Sequence, residues 1–127
     1  MQYPEYDELA TFIDRNPEYL RSWAEYSEFN HAAMEQVFNI LSDNVGGADV
    51  ADARYEAIAP RIKDVGLGIH RRGGMDALRG CFYIFVAALR LRLQQRDRHD
   101  IDSLRVKVLD MRTALNYMWE GIGEWVP

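Results

Sequence analysis

The chain has 127 residues, 48% of them hydrophobic and 28% charged, a composition that suits one compact domain whose core removes roughly two-thirds of the unfolded surface from water. Fifteen Lys and Arg against twenty Asp and Glu give a formal charge of −5, too acidic for a general polyanion binder, so nucleic acid is not an expected partner. The single cysteine, Cys81, excludes an intrachain disulfide, and the longest apolar run, Cys81 to Leu89, is about half of what a bilayer span requires.

The opening residues, Met1 to Glu8, carry neither the positive start nor the apolar stretch of a secretory signal, which points to a cytoplasmic protein with no membrane partner. A first helix is predicted near Pro4 to Arg15, with Tyr6, Leu9, Ala10 and Ile13 on one stripe and Pro4 suited to the opening turn. Asn16 and Pro17 restart the chain, Asn16 as a cap and Pro17 where a missing N–H costs nothing. The second segment runs to about Ser42, with Leu20, Ser27, His31, Met34, Phe38 and Leu41 on a near-heptad seam and a possible break near Asn30; Gly46 and Gly47 end it.

The third segment, Asp49 to about Arg72, carries Ala51, Tyr55, Ile58, Ile62, Val65 and Ile69 at spacings of four and three. Pro60 is expected to kink or split it, and Gly66 and Gly68 to weaken its last turns. After Gly73 and Gly74 comes the most apolar segment, about Met75 to Gln95, with Leu78, Phe82, Phe85, Leu89 and Leu93 as its stripe. A helix apolar on most sides belongs at the centre. The last helix, capped by Asp100 or Asp102, repeats Leu104, Val108, Met111, Leu115, Met118 and Ile122 in the cleanest seam of the chain. Gly121 or Gly123 then ends it in a left-handed turn, which leaves Trp119 and Trp125 either folded inward as a clasp or facing outward as an anchor. No convincing period of two appears, so the expected fold is all-α, a single domain over 1–127 with about five helices around a central helix at about 75–95.

Charge is unevenly distributed: residues 1–66 hold thirteen acids against five bases, a net −8, and residues 67–127 hold ten bases against seven acids, a net +3. Acidic helices lying beside basic ones would explain this pattern. The first candidate site is His70, Arg71, Arg72, Gly73 and Gly74, with Arg79 one turn on, where guanidinium forks and glycines before a helix N-terminus could hold a phosphate. The bland alternative has Gly73 as a left-handed helix end and the arginines on the last carbonyls of the preceding helix. A second basic cluster, Arg90, Arg92, Arg96, Arg98 and His99, is interleaved with acids and fits a helix C-terminus.

Glu28 and His31 share the E-x-x-H spacing of carboxylate-bridged metal bundles, with Glu35 one turn further, but the chain holds no second such pair. They are weak metal candidates, and no cofactor is expected. No nucleophile with a base beside it is visible, so catalysis is unsupported. The reading that accounts for most residues is a protein acting through protein–protein contact, as a homo-oligomer or with another protein, through Leu104, Val108, Met111, Leu115, Met118, Trp119, Ile122 and Trp125. The alternative is a helical binder of a phosphate-bearing small molecule or nucleotide centred on the Arg-Arg-Gly-Gly segment.

Overall fold

Pro4 opens the first helix of the computed structural model, which describes residues 4–45, 52–96 and 100–127. Five helices occur in order: α1 (Pro4–Arg15), α2 (Pro17–Glu25), α3 (Ser27–Asn44), α4 (Asp52–Arg96) and α5 (Ile101–Met118), with no strand among the described residues. The all-α expectation holds. The glycines at 46 and 47, Ala51 in the third seam, and Arg98 and His99 lie outside the described residues.

Asn16 does not cap α2. Its side-chain amide donates instead to the carbonyl of Phe12 at 3.2 Å, closing the end of α1. The long second segment breaks at Tyr26 (φ −120°, ψ 41°), four residues before Asn30. Asn30 is fully buried and donates from Nδ2 to the carbonyl of Trp23 at 2.9 Å, tying α3 to the open end of α2. The break also resets the helical phase. Asn30, Ala33, Met34, Val37, Phe38 and Leu41 face the core, while Leu20 and His31, expected on the seam, are exposed.

The third and central segments form α4, two helical arms joined across a kink at Gly74, and the helix is not split at Pro60. Pro60 and Glu56, whose carbonyl loses its donor, are both exposed residues, a placement in which a helical proline costs least. The backbone breaks at Gly74 (φ 68°, ψ −159°), a conformation essentially restricted to glycine; the left-handed residue is therefore Gly74 and not Gly73. The Ser22 hydroxyl donates to the carbonyl of Gly73 at 3.0 Å and pins the break to α2. α2, α3, α5 and α1 all pack on α4, whose second arm, residues 75–96, buries Leu78, Cys81, Phe82, Phe85, Leu89 and Leu93.

Asp100 caps α5, accepting from the Ser103 N–H at 2.7 Å. The α5 seam turns inward. Leu104, Val108, Met111, Leu115, Met118, Trp119, Ile122 and Trp125 are all buried within the chain, so the residues expected to meet a second copy are spent on its own core. A stripe this apolar gains more from α4, already tethered beside it, than from a partner whose association costs translational and rotational freedom. Both tryptophans point inward, Trp119 at 0% and Trp125 at 8% exposure.

Leu115→Glu, which buries a carboxylate, is expected to unfold the chain at every concentration, read by circular dichroism. At Gly74 an added Cβ meets nothing within 4 Å, so Gly74→Ala tests backbone strain alone and should cost about 1–3 kcal/mol in urea unfolding. Gly66→Ala tests the opposite case: its Cβ would lie 2.5 Å from Nε1 of Trp119. Overpacking of about 1–3 kcal/mol should outweigh the roughly 1 kcal/mol gained in helix propensity. A Gly66→Ala protein more stable than the parent would show that Trp119 can retreat.

Candidate functional site

The Arg-Arg-Gly-Gly segment does not converge on one point. His70 is half-buried against the turn after α5, where a Cβ on Gly123 would come within 2.7 Å of its Nε2. Arg71 is exposed. Arg72 stacks 3.6 Å above the Phe29 ring and donates to the carbonyl of Gly68 at 3.1 Å, so it serves the end of its own helical arm. Arg79 lies over Tyr19 of α2, its Cζ 5.8 Å from the ring centre. The phosphate site expected there is thus divided among three neighbours, because consecutive residues on a helix point about 100° apart.

Glu28, His31 and Glu35 do not form a metal site. Glu28 and His31 are exposed, the His31 imidazole lies 3.9 Å from Glu35, and both Glu35 oxygens lie 2.7 Å from Arg92. A carboxylate neutralised by a guanidinium is a poor cation ligand, and no group of three or more metal-binding side chains occurs among the described residues. Arg92 also stacks 4.0 Å over Phe38, and Arg96 bonds to Asp43 and to the Ser42 hydroxyl. Lys107 donates to the Ser42 carbonyl at 3.0 Å. Two arginines of the basic second half thus pair with acids of the first half, and Lys107 adds a contact to the same end of α3.

A concave site forms at the end of α5. Gly121 (φ 88°) and Gly123 (φ 53°) turn the chain back, the Gly121 N–H donating to the Trp125 carbonyl at 3.2 Å. The Trp125 indole N–H donates to both the carbonyl (3.0 Å) and the side-chain oxygen (3.1 Å) of Asn116, while its ring meets Phe82 edge-on at 5.1 Å and Trp119 at 5.4 Å. Between this anchored ring and the second arm of α4 lies a cleft of about 350 Å³. Arg79, Phe82 and Tyr83 of α4 form one wall, Arg112 and Asn116 of α5 another, and the segment from Glu124 to Pro127 the rim. Of these, only Arg79 and Trp125 stand out in the sequence. Arg112 and Asn116 carry no local signal that they would meet Arg79.

The outer side of α5 is the second feature. Val106, Leu109 and Tyr117 are 55%, 60% and 56% exposed and share a row opposite the buried seam, with Ile101 exposed near the helix start. No family model, no curated protein and no solved structure matches this chain.

The Ser22 and Ser42 hydroxyls donate to backbone carbonyls, and that of Ser103 donates to Asp100. Burial pushes the Cys81 thiol up to about 12. At pH 8 the thiolate is then about one part in ten thousand, so a thiol reagent should label Cys81 only as fast as the protein unfolds. Adding urea should produce a burst of labelling; rapid stoichiometric reaction of the native protein at pH 7 would contradict this burial.

Proposed function

We propose that this protein acts through protein–protein contact in the cytoplasm, pairing with a second copy of itself through the outer side of α5, with no catalysis of its own. The exposed row of Val106, Leu109 and Tyr117 carries this reading. At about 100° per residue, positions 106, 109, 113 and 117 face one direction, opposite Leu104, Val108, Met111 and Leu115. Apolar side chains that contribute nothing to the chain's own core gain stability only when another surface covers them.

A second copy fits the charges beside this row. Arg105 and Asp110 flank it on opposite sides, five residues apart, the spacing at which two parallel helices exchange ion pairs between e and g positions. An 18-residue helix is about 27 Å long, so pairing one such face buries less than the roughly 1,200 Å² of a standard stable interface. Association in the micromolar range is expected, not an obligate dimer.

Sedimentation velocity across a concentration series tests this. The parent should shift from monomer to dimer with rising concentration. Leu109→Glu should remain monomeric with an unchanged melting temperature, since the position is exposed. Arg105→Asp should weaken association, and the double variant Arg105→Asp, Asp110→Arg should restore it. A parent that stays monomeric to millimolar concentration, or a Leu109→Glu variant that dimerises normally, would sink the proposal.

A further inference from the structure

Beyond self-association, we propose that the cleft between α4 and α5 binds a small aromatic oxyanion, its charged head held by the guanidinium groups of Arg79 and Arg112 and its ring seated beside Trp125. The volume of about 350 Å³ falls within the range of small-molecule sites, and the lining combines charged and polar side chains with rings that are themselves mostly buried. Two guanidinium groups reach the cleft from different helices. Each is steadied by an aromatic ring, Arg79 by Tyr19 at 5.8 Å and Arg112 by Phe82 at 5.9 Å, so less side-chain freedom is lost on binding.

Arg79 forms no ion pair with a described carboxylate. This sets it apart from Arg92 and Arg96, which hold Glu35 and Asp43. A half-buried guanidinium without a counter-ion, in a concave site walled by rings, favours an oxyanion, which accepts its forked donors. The ring requirement comes from Trp125. Its indole N–H is committed to Asn116, so the small part of its ring that reaches the cleft is apolar. Glu124 is the one acidic side chain lining the cleft, and it weakens an anion's binding without replacing the arginines.

The test monitors the three tryptophan indole N–H signals by NMR, assigned by Trp→Phe variants, during titration with phenyl phosphate, benzoate, inorganic phosphate and benzyl alcohol. Phenyl phosphate, benzoate or both should move the Trp125 signal saturably and leave Trp23 unmoved; which of them binds identifies the head group. Inorganic phosphate should bind at least tenfold more weakly, and benzyl alcohol should show no saturation. Arg79→Gln should weaken binding about tenfold or more, the loss of a charge-assisted contact, with the Trp119 signal and melting temperature unchanged. Arg112→Gln should act likewise; if it fails to fold, Arg79→Gln decides alone. Glu124→Gln should tighten binding by about two- to threefold. Absence of saturation by either aromatic anion at 10 mM, equal binding of benzyl alcohol, or indifference to Arg79→Gln would each overturn the proposal.

Discussion

The backbone break at Gly74 is the constraint around which the other helices are arranged. An unbroken 45-residue helix would be about 68 Å long, whereas a 127-residue globule has a radius of gyration of only about 14 Å. A straight α4 would leave one end without neighbours to cover its apolar side chains. Gly74 resolves this by adopting a conformation closed to other residues, and both arms then contribute to one core, Ile58, Ile62 and Ile69 from the first and Leu78 to Leu93 from the second. The break is held on one side by Ser22 on the Gly73 carbonyl and on another by Arg72 on Phe29. The arginines and glycines that resemble a ligand loop in one dimension are thus the fastening of a hinge in three.

The tail after α5 fills the space between the two arms. The Trp119 indole N–H donates to the Ile62 carbonyl of the first arm at 3.1 Å, while its ring lies 6.4 Å from Phe82 of the second. A buried indole must place its one donor, and Gly66 permits this approach by having no side chain in the way. Trp125 repeats the arrangement with Asn116 as acceptor, but the chain has by then reached the surface, and the space beside its ring stays open. The cleft is a consequence of where this packing stops.

Much of the fold is legible in the residues. The helical periods, Pro4 at the start of α1, Asp100 as a cap and the centrality of residues 75–95 all rest on local rules that tertiary packing does not override. Pro60 stays inside a helix instead of splitting it, on the exposed side of its arm, and periodicity alone does not report that placement. Asn16 misleads because an Asn can donate backwards as readily as it caps forwards. The cleft is almost invisible in the sequence, since Arg79 and Arg112 are far apart in the chain and meet only because α5 lies along α4. The outer row of α5 does leave a signal: Val106, Leu109 and Tyr117 are apolar at positions where the seam's own period calls for polar residues.

That row and the seam compete for the same core, and magnitudes decide between them. The seam offers five large side chains within α5 and three more in the turn after it, each contributing about 1.5–3 kcal/mol when fully buried, so of order 10 kcal/mol or more in total. The outer row offers three, worth at most half as much. Rotating α5 by half a turn would expose the seam, remove Trp119 from Ile62 and leave Trp125 without Asn116. The seam therefore turns inward, and the residues left outside form a shorter row, sufficient for reversible contact and too small to hold the fold. An interface sought in the most regular apolar repeat of a small helical protein will tend to be found in its core, because regularity is what close packing selects. The residues that remain for a partner are the apolar ones that break the period.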